Sequence, residues 1–93
     1  MIQQEVIVSN IFGIHARPAS LIAQTSAKFK ADIKIEKDGV SVNAASIMNV
    51  MMLAAAYKSN LIIKAQGPDE KQAVEALVML FNSKFNEDNR PSS

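Results

Sequence analysis

The sequence predicts an α+β fold in which a four-stranded sheet carries helices on one face and leaves the other to water. Three observations predict it. The apolar residues change period along the chain in the order strand, helix, strand, strand, helix, strand, helix. The two consecutive strands are separated only by Asp38-Gly39, a pair suited to the positive φ angles of a tight hairpin turn. The chain has 93 residues, enough for one modest core and too few for two.

Each element has its own signal. Residues 2 to 9, IQQEVIVS, are short, rich in β-branched side chains and followed by Asn10, which reads as a strand. Pro18 suits the first turn of a helix, where its missing N–H costs nothing. The run PASLIAQTSAKF then sets Ala19, Ile22, Ala23, Ser26 and Ala27 on one face. In DIKIEKDGVSVN, Ile33 and Ile35 alternate with charged neighbours before the turn, and Val40 and Val42 follow it. Ser46 stands where it caps the free N–H groups of a short helix over IMNVMMLAAA. NLIIKA is the fourth strand, ended by Gly67-Pro68. Asp69 and Glu70 place negative charge at the start of a last helix, and Ala73, Leu77, Leu80 and Phe81 recur at helical spacing up to Lys84. Periodicity does not fix which strands are neighbours. The domain is expected to span residues 1–87, with a polar, proline-containing tail at 88–93.

Composition narrows the function. Ten Lys and Arg against nine Asp and Glu leave a formal charge of +1, and the basic residues are scattered, so no nucleic-acid patch is expected. The absence of cysteine removes disulfides, thiolate nucleophiles and Cys-based metal sites, which fits a reducing cytoplasm. No stretch approaches the ~18 consecutive apolar residues of a membrane span, and the N-terminus has no leader pattern. The expectation is a cytoplasmic monomer without direct membrane insertion.

Residues 12 to 20, FGIHARPAS, contain the only histidine. At the N-terminal end of a helix, unpaired N–H groups and the positive end of the dipole favour an anion over a cation. A neutral imidazole is a nucleophile. If it attacked a phosphoryl group, the phosphate oxygens would land near those N–H groups, with Arg17 as a cationic partner. Gly13 permits positive φ or a close backbone approach, and Pro18 stiffens the helix start. The residues alone leave a second reading open, a solvated or capping histidine. Metal binding is disfavoured because one His with no Cys and no clustered carboxylates cannot supply a ligand set. A hydrolytic triad fails because Ser20 lies well along the helix and no second base exists.

Gly13-Ile14-His15-Ala16-Arg17-Pro18-Ala19 resembles the active-site signature of the HPr family, the histidine-containing phosphocarriers of the phosphoenolpyruvate-dependent sugar phosphotransferase system. Ser46-Ile47-Met48, leading to Val50-Met51-Met52-Leu53, resembles that family's regulatory serine region. The resemblance runs from about residue 1 to residue 87. It implies an open-faced βαββαβα sandwich with an antiparallel sheet under three helices. It further implies that His15 accepts a phosphoryl group on Nδ1 from enzyme I and passes it to IIA-type components of sugar permeases. Arg17 and the amides of Ala16 and Arg17 would stabilise the phosphate beside Pro18, with no cofactor and no metal. Such a carrier is a protein substrate of phosphoryl transfer and not an independent catalyst. Ser46 would be the target of an ATP-dependent HPr kinase/phosphorylase. The alternative is a regulatory phosphorelay or partner-binding module that acts on a nitrogen-type IIA or on transcription regulators.

The apolar residues after Ser46 surround a short helix, whereas a helix lying on a sheet buries one stripe. Val50 and Leu53 are expected inside. Ile47, Met48 and Met51 are then expected to form a partner surface with Leu21 and Phe12. Three positions depart from the family pattern. Phe12 replaces a small or polar residue, Asn49 a glycine, and Lys58 a helix-ending glycine, which predicts either αL strain at Lys58 or a helix end shifted to residues 57–60.

Overall fold

Leu61, Ile63 and Ala65 are buried and alternate with Ile62 and Lys64, which are less so; this period of two builds strand β4 (Asn60–Gln66). The computed structural model describes residues 1–86, so residue 87 and the tail expected at 88–93 lie outside the described residues. The other strands are β1 (Ile2–Ile7), β2 (Asp32–Lys37) and β3 (Val40–Asn43). They form one antiparallel sheet in the order β1-β4-β2-β3, with Val6 opposite Leu61 and Ile35 opposite both Ile63 and Val42. Asp38 (φ 50°) and Gly39 (φ 84°) make the β2–β3 turn with the two positive φ angles that the sequence predicts.

Three helices cover one face: α1 (Ala16–Ala27), α2 (Ile47–Met52) and α3 (Glu70–Asn82). The apolar side chains of that face (Val6, Val8, Ile33, Ile35, Leu61, Ile63) meet Ile22, Val50, Leu77 and Phe81 in one core. Each fully buried aliphatic side chain there contributes ~1.5–3 kcal/mol relative to exposure. The opposite face carries Glu5, Lys34, Glu36 and Lys64, with a 2.6 Å ion pair between Lys64 and Glu36. A 3₁₀ turn, Lys84–Asn86, follows α3.

Some details differ from the sequence reading. α1 begins at Ala16, two residues ahead of the run read from Pro18, with Pro18 in its first turn as expected, whereas Ala27 is exposed at the last turn where the stripe has rotated off the sheet. Leu80 is half-buried, whereas Val74 joins the core. α2 stops at Met52, capped by Leu53, because Ala54 takes φ 50° and the helical path ends there. Lys58 has φ 74°, so this position carries the αL strain and the helix end is not shifted to 57–60.

Candidate functional site

The segment between β1 and α1 is fixed by short bonds around a buried asparagine. Asn10 Nδ2 donates to the Gly13 carbonyl at 2.7 Å, and the Gly13 N–H donates to the Asn10 carbonyl at 3.1 Å. Gly13 has φ 72°, and a Cβ there would lie 2.8 Å from the carbonyl oxygen of Ala55, so no other residue fits without movement. The next N–H, that of Ile14, donates to that same Ala55 oxygen at 2.8 Å. The loop is thereby pinned to the segment just past α2.

His15 follows as the N-cap residue of α1, with extended backbone (φ −100°, ψ −164°) and an exposed side chain that makes no capping bond. The first intrahelical bond runs from the Ala19 N–H to the His15 carbonyl at 3.0 Å. The N–H groups of Ala16 and Arg17 therefore stand at the open end of the helix without an intrahelical acceptor, and Pro18 has no N–H. The first turn contains no acidic residue. Pro18 itself is buried.

Arg17 is exposed, and its Nη1 donates to the Phe85 carbonyl at 2.8 Å. This bond uses one of the five guanidinium N–H groups. Phe85 is fully buried, and its ring meets Phe81 edge to face at 4.8 Å. Lys84, Phe85 and Asn86 have φ of 56°, 57° and 56°, a left-handed turn that aims the Phe85 carbonyl at the start of α1. Phe12 is 67% exposed, with its ring 6.4 Å from that of His15 at an interplanar angle of 85°.

Ser46 is the N-cap of α2. Its Oγ accepts from the Asn49 N–H at 3.2 Å and from Asn49 Nδ2 at 2.8 Å, so Asn49 adds a side-chain bond that a glycine could not. Val50 and Leu53 are buried. Ile47, Met48, Met51 and Met52 are exposed and line a shallow apolar depression. Leu21 is half-buried against the core and offers only part of its surface. α1 packs on α2.

The loop thus brings together His15, Ala16, Arg17 and Phe12, whereas Ser46 and the methionines belong to α2. Sequence reasoning missed Asn10, read only as the end of a strand, and the Phe85 carbonyl. A polar amide directly before a glycine loop was a signal for the first; a main-chain carbonyl has none. Among the described residues, no three His, Cys, Asp or Glu side chains cluster as metal ligands, and no helix is long and apolar enough to cross a membrane.

Residues 2–83 match the family described as the PTS HPr component phosphorylation site. The phosphocarrier protein HPr of Treponema pallidum is 44% identical over 88 residues, which cover 95% of this chain and 100% of that protein. The crystal structure of HPr-C-His from Thermoanaerobacter tengcongensis superposes with a TM-score of 0.91 at 43% identity, over 95% of this chain and 99% of that one. Crh of Bacillus subtilis, a catabolite repression protein solved as a swapped dimer, gives a TM-score of 0.72 at 42% identity over 90% and 97%.

Proposed function

The chain belongs to the HPr family of phosphocarrier proteins, and from that premise we propose that His15 takes a phosphoryl group from enzyme I and hands it to IIA-type components of sugar permeases. The observation that carries this reading is an exposed imidazole on a pinned loop, at a helix mouth that presents the Ala16 and Arg17 N–H groups. The Nδ1 lone pair forms the N–P bond as the bond from phosphorus to the donor's leaving atom breaks with its electron pair. The proton on Nε2 need not move. The phosphoryl oxygens then face the helix N-terminus and the Arg17 guanidinium, which offset their charge. Delivery reverses the step, with an acceptor nucleophile on the IIA component displacing His15.

Ser46 is the proposed regulatory site, phosphorylated by an ATP-dependent HPr kinase/phosphorylase. Ser46 is a half-buried N-cap, and a phosphate on its Oγ would add ~−1.5 to −2 charge beside the exposed Ile47, Met48 and Met51 surface proposed for partner docking. The reading places the protein in the cytoplasm and lets it act as a monomer. The likeness to Crh favours a second reading, in which the destination is regulatory and the acceptor is a nitrogen-type IIA or a transcription regulator.

The experiment loads the protein with enzyme I and labelled phosphoenolpyruvate, removes enzyme I, and adds sugar-type or nitrogen-type IIA separately. Rapid transfer of label to the sugar-type IIA supports the transport reading. Transfer only to the nitrogen type supports the second reading, and no loading at all contradicts both.

A further inference from the structure

Ser46 and Asn49 are joined twice across the first turn of α2. The Ser46 Oγ accepts from the Asn49 N–H at 3.2 Å, the ordinary capping bond, which satisfies a main-chain donor at the helix start. Asn49 Nδ2 donates to the same oxygen at 2.8 Å. A hydroxyl oxygen has two lone pairs, so the two bonds together occupy both. Both residues are half-buried, where water replaces a lost partner less readily than at an open surface. The helix itself does not call for the second bond. A longer side chain at this position would reach the Ser46 main-chain N–H in a capping box, but that N–H already donates to the Asn43 carbonyl at 3.2 Å. Asn is also among the poorer helix formers, so propensity does not account for it inside a helix of 6 residues.

We propose that Asn49 is a brake on the phosphorylation of Ser46, a positioning residue whose side-chain amide occupies the hydroxyl oxygen until it is displaced. The proposal rests on the regulatory reading of Ser46 given above. In that reaction an Oγ lone pair forms the O–P bond to the γ-phosphorus of ATP. The bond from that phosphorus to its bridging oxygen breaks with its electron pair to give ADP, and the hydroxyl proton passes to a base of the kinase. An oxygen whose lone pairs both accept hydrogen bonds must first give one up. The Asn49 N–H is fixed in the backbone of α2 and stays, whereas the side-chain amide can turn away about its own χ angles. The net value of one such bond corresponds to about 2- to 10-fold in rate. Because the bond lies within the substrate and is given up as the oxygen attacks, it acts on the maximal rate and not on the concentration that half-saturates the kinase.

The test measures initial rates of Ser46 labelling by γ-labelled ATP and HPr kinase/phosphorylase, against protein concentration, for wild type, Asn49→Ala and Asn49→Gln. Alanine removes the side-chain amide and keeps the main-chain cap. Glutamine keeps an amide, at a length that suits the Ser46 main chain and not its hydroxyl. The maximal rate should rise about 2- to 10-fold in Asn49→Ala at an unchanged half-saturating concentration, with Asn49→Gln faster than wild type as well. Labelling of the variants with none of wild type would be the extreme form of the same result. An equal or lower maximal rate in the variants overturns the proposal, the lower rate marking Nδ2 as a donor to the incoming phosphoryl group. A change confined to the half-saturating concentration also overturns it and makes Asn49 a docking residue. Amide spectra that superpose outside α2 check the fold, and if Asn49→Ala does not fold, Asn49→Gln decides alone. If a kinase active on another HPr labels neither wild type nor variants, the regulatory reading of Ser46 fails and takes this proposal with it, whereas equal labelling of all three removes the proposal alone.

Discussion

Arg17 donates from Nη1 to the main-chain carbonyl of Phe85 at 2.8 Å, joining the first turn of α1 to the turn that follows α3. The acceptor sits in a run of three non-glycine residues with positive φ, each costing ~1–2 kcal/mol. Burial of the Phe85 ring against Phe81 offsets that strain and holds the carbonyl in place. Arg17 is thus held by this bond in the free protein, so under the proposed function less of its side-chain entropy would remain to be lost on meeting a phosphate.

Arg17→Ala should slow phosphoryl uptake by about 10- to 100-fold, the value of a charge-assisted bond of ~1.5–3 kcal/mol. It should also lower stability by ~0.5–1.5 kcal/mol through the lost bond to Phe85. Arg17→Lys keeps the charge without the planar fork and should fall between. Uptake kinetics and urea unfolding check the two effects separately.

Gly13→Ala and Gly39→Ala form a matched pair. Both residues have positive φ, but an added Cβ at Gly39 meets nothing within 4 Å, whereas at Gly13 it meets the Ala55 oxygen at 2.8 Å. Gly39→Ala should cost ~1–2 kcal/mol, the left-handed penalty alone. Gly13→Ala should cost clearly more and also reduce uptake, because His15 hangs from that loop. Equal unfolding midpoints for the two variants would show that the contact with Ala55 is unimportant.

How much of this was legible in the sequence follows from what each residue type can signal. The hairpin could be read because two adjacent positive φ angles demand residues such as Asp38 and Gly39. α1 and α3 could be read because Ile22, Ala73 and Leu77 repeat at the helical period against a sheet. The position of β4 between β1 and β2 could not, since alternation marks a strand without naming its partner. The end of α2 was hidden because IMNVMMLAAA contains no glycine or proline, and the chain turns at Ala54 instead. Around the loop, the sequence places His15, Arg17 and Pro18 at a helix start, where the structure has them, but the acceptor for Arg17 is a carbonyl that any residue could supply.

Ser46→Ala should destabilise the protein by ~1 kcal/mol, because the Ser46 Oγ accepts from both the N–H and the side-chain amide of Asn49. Ser46→Asp should retain the cap and stay near wild-type stability, while its charge weakens enzyme I docking. Thermal unfolding and the half-saturating concentration for uptake read the two consequences. A Ser46→Ala protein as stable as wild type would mean that the cap contributes nothing.

The account rests on phosphorus bonding to nitrogen at one residue. The most direct measurement is ¹⁵N and ³¹P NMR of histidine-labelled protein after incubation with enzyme I and phosphoenolpyruvate. It should show one phosphoramidate, on Nδ1 of His15, lost in acid and kept in base, and none in His15→Ala. An acid-stable phosphate on a hydroxyl, or full labelling of His15→Ala, would contradict it.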